Sequence, residues 1–278
     1  MPELPEVETM RRGILGIVGS RITDIAWPRC SKKPIAVRPT KARFRARAVG
    51  QEIAAVDRIG KRVVVRLGSG DAIIFEPRMT GLVLVSDAPS TEHLRFRMDL
   101  AGSPIASVWY WDRRGLGNVR LLRPAEQEHE LGSSKLGPDA LAITPEILRL
   151  HLGASRRDIK VALLDQKQIA GVGNLYASEI LHAAGVHPAQ RCDLLHRGQW
   201  ERIHAALVEI LETAIRYEGS TLSDGTYRNA LNKSGGYQNE HRVYARAGQR
   251  CARCRSATIV RIVQAQRATF YCPGCQKK

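Results

Sequence analysis

Apolar residues open the chain at helical spacing. Val7, Met10, Ile14, Leu15 and Val18 recur through residues 5–18 and predict an amphipathic helix with one buried stripe. Between residues 21 and 122 the texture changes to short β-branched runs, separated by turn signals such as Gly68-Ser69-Gly70-Asp71 and Ala101-Gly102-Ser103-Pro104. Strands are predicted over 21–27, 44–49, 62–67, 72–75, 82–85, 94–100, 105–111 and 119–122, a spacing that implies a β-sandwich or barrel. Residues 124–139, with a Glu/His run and a Gly-Ser-Ser, read as a linker. Thr144-Pro145-Glu146 is a helix start. Further helices are predicted over 155–165, 174–184 and 194–217, the last with Trp200, Ile203, Leu207, Ile210, Leu211 and Ala214 on one face. The polar stretch 218–238 is long enough to be functional or disordered. Two short β-like runs, 258–264 and 268–271, then flank Ala265-Gln266-Arg267.

Composition adds a partner. At 278 residues, 44% apolar and 25% charged, the chain reads as a soluble protein of two domains. Its net charge is +16, and residues 225–278 carry eleven Lys or Arg against one acid, giving +10 of that total. Such an end calls for a polyanion, with nucleic acid foremost. An anionic membrane is the rival, but no long apolar run or basic amphipathic helix supports it. The opening lacks a basic region followed by an apolar run, so no secretory signal and a cytoplasmic setting are expected. No apolar patch or heptad run suggests an interface, so a monomer is expected.

The cysteines add a metal. Cys251 and Cys254, then Cys272 and Cys275, form two Cys-x-x-Cys pairs separated by seventeen residues, while Cys30 and Cys192 stand alone. That spacing reads as a structural four-thiolate zinc site, bridging a β-hairpin with Arg267 at or near its tip. Arg267 in that position could simply contact a phosphate. Upstream, Gly171-Val172-Gly173-Asn174 reads as a tight turn capped by Asn174 into a helix, with exposed N–H groups suited to phosphate. The same pattern also fits a plain helix–turn–helix corner.

The first residues, Met1-Pro2-Glu3-Leu4-Pro5-Glu6, admit two readings. They start a helix, with proline and acids in its first turn. If Met1 is removed, they also present a secondary amine at Pro2. A terminal amine has a pKa of roughly 7.7–8.0 and can form a Schiff base with a sugar carbon, while the Glu3 carboxyl passes protons beside it.

The opening MPELPEVE, the segment Gly171–Tyr176 and the closing QRATFYCPGCQK together resemble the formamidopyrimidine-DNA glycosylase family, in order and across nearly the whole chain. The resemblance implies an α+β protein. An N-terminal β-sandwich with a leading helix (1–125) is expected, then a linker (126–142), a helix-two-turn-helix domain with a lesion-recognition loop (143–240) and a four-cysteine zinc finger (241–278), with DNA in the cleft between the domains. It implies a bifunctional enzyme that excises oxidised purines from duplex DNA and cuts the resulting abasic site. Pro2 matches the Schiff-base nucleophile and Glu3 the proton donor. Lys61 matches the lysine assigned to β-elimination, and Arg267 the arginine that grips phosphate and is assigned to δ-elimination. Arg156, Lys160 and Asn174 match DNA-facing positions. Met79, Arg114 and Leu116 match the side chains that fill the gap left by a flipped base, a class of wedge general to such proteins.

Two stretches depart from the family pattern. Glu76-Pro77-Arg78 stands where His-Leu-Gly is usual, and Asp112-Arg113-Arg114-Gly115-Leu116-Gly117 replaces Asp-Pro-Arg-Arg-Phe-Gly. Both bear on lesion search and opposite-base preference more than on chemistry. Rival readings are an endonuclease VIII-type glycosylase for oxidised pyrimidines, and a non-catalytic DNA-binding paralogue.

Overall fold

Short strands with one buried face assemble into two sheets in the computed structural model, which describes residues 2–278. Met1, on whose removal the Pro2 amine depends, lies outside the described residues. Contacts divide the chain into two units: residues up to Gly132 with Ile215–Gln238, and Ser133–Ala214 with Asn239–Lys278.

In the first unit the strands are β1 (Arg21–Ala26), β2 (Ala36–Arg38), β3 (Ile53–Ile59), β4 (Arg62–Leu67), β5 (Ala72–Glu76), β6 (Gly81–Leu84), β7 (Leu94–Ala101), β8 (Ser107–Asp112) and β9 (Asn118–Leu122). One sheet runs β1-β7-β8-β6 and the other β2-β9-β5-β4-β3. All pairings are antiparallel except β2 with β9. Val63, Val65, Ile73 and Phe75 of one sheet share a core with Leu84, Phe96, Met98 and Tyr110 of the other. Edge-on rings of Trp27, Phe44, Phe75 and Phe96, with centroids 5.6–5.9 Å apart, fill its centre. Helix α1 (Leu4–Gly13) lies on β3, β4 and β6 and adds Val7 and Met10 to that core.

Three sequence expectations change here. Helix α1 stops at Gly13, and a 3₁₀ turn over Leu15–Ile17 rotates the stripe, so Ile14 and Ile17 are buried while Leu15 and Val18 are exposed. Residues 44–49 form no strand; they lie mostly in helix α2 (Lys41–Ala48), whose buried residues Phe44 and Ala48 are four apart. The alternation of Arg with Phe and Ala there mimics a period of two. Strand β3 carries no clear strand signal in the sequence, because Ala54, Ala55, Asp57 and Arg58 dilute its apolar pattern.

Residues 124–139, read as a linker, contain helix α3 (Pro124–Leu131), begun by Pro124 and by Glu126 Oε2 accepting the Arg123 N–H at 2.8 Å. The second unit continues with α4 (Pro145–Leu152), capped by Thr144 Oγ1 accepting the Ile147 N–H at 3.3 Å. Helix α5 (Ile159–Leu163) is shorter than predicted: the Arg157 N–H donates to Ser155 Oγ at 3.2 Å, and Asp158 pairs with Arg191 in an isolated β-bridge. Helix α6 (Asn174–Ala184) matches its predicted span and ends at Gly185, while α7 (Arg197–Arg216) carries the expected apolar face. Strands β10 (Val260–Gln264) and β11 (Arg267–Tyr271) pair antiparallel, with Ala265 and Gln266 both at positive φ in the tight turn.

Candidate catalytic and nucleic-acid sites

Pro2 and Glu3, the first of the described residues, are both buried, and Glu3 occupies the N-cap position of α1. Its N–H donates to Glu6 Oε2 at 2.9 Å. Glu6, 2% exposed, also accepts the Ser220 N–H on Oε1 at 2.8 Å. The loop over residues 218–238 is therefore fastened to the first turn of α1. Tyr227 reinforces it by donating to the Glu218 carbonyl at 2.9 Å, and burial beside Glu6 raises its pKa well above the ordinary tyrosine value. At Gly219, φ is +80° and a Cβ would sit 2.8 Å from Glu6 Cγ, so only glycine fits that approach.

Lys61 is half-buried in the two-residue turn joining β3 to β4, where Ile59 pairs with Arg62. The turn is steadied from α1. Arg58 donates through Nη1 to the Gly60 carbonyl at 3.0 Å and through Nε to Glu8 Oε2 at 3.2 Å. Glu8 also holds Arg11 and Arg12, each at 2.8 Å. Burial alone would raise the Glu8 pKa, but the arginines outweigh it and hold the carboxyl below its usual value.

Met79, Arg114 and Leu116 come together through one carboxylate. Strands β6 and β8 pair Gly81 with Asp112, so the turn carrying Met79 adjoins the loop after β8. Fully buried Asp112 accepts Thr80 Oγ1, the Arg114 N–H at 3.1 Å and the Gly117 N–H at 2.8 Å. Met79 and Leu116 are each left 38% exposed, available to a partner. At Gly115, φ is +61° and a Cβ would collide with the Lys33 carbonyl.

The departure at Glu76-Pro77-Arg78 acquires a physical reading. Arg78 adopts φ +54°, a conformation glycine takes freely and arginine takes at a cost of about 1 kcal/mol. Glu76 accepts from Arg62 at 3.3 Å, Arg78 at 3.0 Å, and Arg120 and Asn118 at 3.2 Å. Burial opposes its charge, yet these partners keep its pKa below the usual value.

In the second unit, Asn174 is not the cap expected of it. Gly173 occupies the N-cap position, and Asn174, in the first helical turn, directs its side chain elsewhere. Its Nδ2 donates to the Ala268 carbonyl at 2.9 Å, and its Oδ1 accepts Lys160 Nζ at 2.5 Å. Lys160 is wholly buried and also reaches the Ala268 carbonyl at 3.4 Å. Gln264, paired with Arg267 across the hairpin, donates to Asp158 Oδ2 at 2.8 Å. Exposed Arg267 thus stands on a hairpin docked at the starts of α5 and α6, and Arg156 is exposed just before α5.

The four paired cysteines converge, with all ligand atoms within 4.8 Å of one another. Cys251 and Cys275 sulfurs are 3.8 Å apart, and Cys254 and Cys272 sulfurs 3.6 Å. A tetrahedron of Zn–S bonds of about 2.3 Å has an edge of roughly 3.8 Å, so the donors fit one structural zinc ion. Gln276 anchors the site, accepting the Cys272 N–H at 2.9 Å and donating to the Val186 carbonyl at 2.8 Å.

Sequence reasoning missed the organising carboxylates: Glu6, Glu8, Asp112 and Glu179. Buried Glu179 accepts the N–H groups of Arg242, Val243 and Tyr244 at 2.8, 3.0 and 2.7 Å. Burial nevertheless raises its pKa. Single acids in a helix or at a strand end look like solvated positions. A signal was available only for Glu6, three residues after Glu3 at a helix start, which is capping-box spacing.

Comparison with known proteins covers the chain almost completely. Family profiles match at residues 1–119 (formamidopyrimidine-DNA glycosylase N-terminal domain), 136–226 (formamidopyrimidine-DNA glycosylase H2TH domain) and 248–278 (zinc finger found in FPG and IleRS). A formamidopyrimidine-DNA glycosylase of Chloroflexus aurantiacus is 37% identical over 284 residues, spanning 99% of this chain and 98% of the relative. Among solved structures, a mutant Lactococcus lactis FPG in complex with Fapy-dG-containing DNA matches with TM-score 0.87 and 33% identity, over 100% of both chains. Lactococcus lactis Fpg with abasic-site-containing DNA matches with TM-score 0.86 and 32% identity, over 99% of this chain and 100% of that one.

Proposed function

Since the chain belongs to the formamidopyrimidine-DNA glycosylase family, we propose that it removes oxidised purines, 8-oxoguanine and formamidopyrimidines, from duplex DNA and then cleaves the abasic site by β,δ-elimination. The observation that carries this reading is the fixed start of the chain, where one buried carboxylate, Glu6, holds both the Glu3 N–H and the Ser220 N–H. A nucleophilic terminus needs such immobilisation, because free termini are usually mobile.

With Met1 removed, the Pro2 nitrogen attacks C1′ of the damaged nucleotide and the base departs, Glu3 moving protons beside it. Proline yields an iminium that has no N–H to lose, so it remains an electron sink for two eliminations. Lys61 serves the β-elimination, from a turn that Arg58 and Glu8 hold in place. Arg267 grips the phosphate and serves the δ-elimination. Thiolate-bound zinc supplies rigidity to the hairpin bearing Arg267 and takes no part in bond-making. Arg156 and Asn174 contact the DNA backbone, while buried Lys160 acts by orienting Asn174. Met79, Arg114 and Leu116 occupy the space vacated by the flipped base. A monomer in the bacterial cytoplasm, acting on chromosomal DNA, fits this role.

Excision of 8-oxoguanine compared with dihydrouracil in matched duplexes tests the substrate class. Faster release of 8-oxoguanine is expected. Faster release of dihydrouracil would move the protein to the endonuclease VIII type, and no release of either would support a non-catalytic binder.

A further inference from the structure

A cavity of about 590 Å³ opens on the first unit, lined by Trp27, Arg29, Cys30, Ile35, Lys41 and Arg95 among others. None of the proposed catalytic or DNA-contacting residues lines it, and neither does any acidic side chain. Its charge is therefore of one sign. Lys41 Nζ stands over the Trp27 ring, 5.7 Å from its centroid, placing an ammonium against an aromatic wall.

Arg95 is the built part of the site. It is 4% exposed, and its Nε donates to the Asp112 carbonyl at 2.9 Å, which fixes the guanidinium. Nη1 donates to Cys30 Sγ, while Nη2 is buried with no hydrogen-bond partner. A buried donor left unsatisfied is costly, and an acceptor seated in the cavity that reached this nitrogen would relieve that cost. A cavity lined by Arg29, Lys41 and Arg95 and by no acid favours an anion as that acceptor.

Cys30 places a nucleophile in the same space. Its sulfur accepts from Arg95 and from the Lys32 N–H at 3.4 Å, and its S–H donates to the Glu92 carbonyl at 2.9 Å. The thiolate is the form that attacks disulfides. Cys30 is half-buried, not sealed in the core like Cys192.

We propose that this cavity binds small anionic disulfides and that Cys30 is its point of covalent capture. The Sγ proton leaves to solvent and the thiolate attacks one sulfur of R–S–S–R. A bond forms between Sγ and that sulfur as the original S–S bond breaks, and the other half departs as RS⁻. The reagent is reduced as Cys30 is oxidised, so no further oxidant enters. Anionic groups of the bound half face Lys41 and Arg95, and an aromatic one can lie against Trp27.

The test uses the zinc-loaded full chain and two aromatic disulfides, anionic dithiobis(nitrobenzoate) and neutral dithiodipyridine. Labelling of each cysteine is followed by peptide mass mapping, and each rate is divided by that of the same reagent with free cysteine. Cys30 is expected to label before the zinc-site cysteines, with a normalised preference for the anionic reagent of about tenfold at low salt. Added salt and Lys41→Gln should both shrink that preference, and Cys30→Ser should abolish the fast phase. Equal normalised rates, a fast phase surviving in Cys30→Ser, or a preference unchanged in Lys41→Gln would each overturn the proposal.

Discussion

Glu6 and Ser220 are 214 residues apart in sequence and meet through one hydrogen bond of 2.8 Å, from the Ser220 N–H to Glu6 Oε1. The other oxygen of the same carboxylate holds the Glu3 N–H. The residue beside the proposed nucleophile and the start of the loop over 218–238 therefore share one anchor, and displacement of either is felt by the other.

Glu6→Gln separates them. An amide offers one acceptor where two are needed, so either Glu3 or Ser220 is left with an unsatisfied buried N–H, at about 1–3 kcal/mol. Hydrogen exchange of the Ser220 amide should accelerate, and excision should fall roughly ten- to a hundredfold if that cost falls on the transition state. Unchanged exchange at Ser220 would mean that the carboxylate is not the anchor.

Leu116→Phe restores the aromatic wedge usual in the family at an exposed position on a loop that Asp112 already holds. Ring stacking on a base is worth about 1–3 kcal/mol, so binding to a lesion duplex should tighten by up to about tenfold beyond leucine. Asp112→Ala should do the reverse, freeing the Arg114 and Gly117 N–H groups. Titration of fluorescent lesion duplexes measures both.

Chelation of zinc should release the hairpin at its base and disorder Arg267, abolishing strand cleavage. The other end is held by hydrogen bonds from Gln264 to Asp158 and from Asn174 and Lys160 to the Ala268 carbonyl, and these are expected not to hold the hairpin without the metal. Cleavage of a preformed abasic site after verified metal removal is the measurement; retained cleavage would uncouple zinc from Arg267.

Stability should fall on mild acidification through His241. Burial, aided by Arg246, lowers its pKa from 6.5 to about 4. The folded state therefore excludes a proton that the unfolded chain binds. Its contribution is complete above pH 6.5 and lost progressively as pH falls towards 4, on the order of 3 kcal/mol in all. Denaturant titrations at several pH values should show a shallower loss over that window in His241→Asn.

The sequence made legible whatever has a period or a spacing. Two cysteine pairs gave the metal site, and helix α6 was legible from a glycine turn followed by an apolar face. The strands β4, β5 and β7 stood out through β-branched runs. Helix α2 was hidden because alternating arginines carry a strand-like period over a segment that buries only Phe44 and Ala48. Asn174 looks like a cap in the sequence, because its side chain's true partners, Lys160 and Ala268, lie 14 and 94 residues away. The long-range roles of the anchoring carboxylates were illegible for the same reason: Glu6 acts on Ser220 and Asp112 on Thr80, pairings that only the folded chain creates.

Borohydride trapping tests the Pro2 mechanism most directly. The mature protein, shown by intact mass to lack Met1, is incubated with a duplex carrying 8-oxoguanine opposite cytosine, reduced and digested. A covalent protein–DNA adduct is predicted, with the DNA-linked peptide beginning at Pro2. Attachment at Lys61 or any other residue, or active enzyme that retains Met1 on every chain, would contradict it.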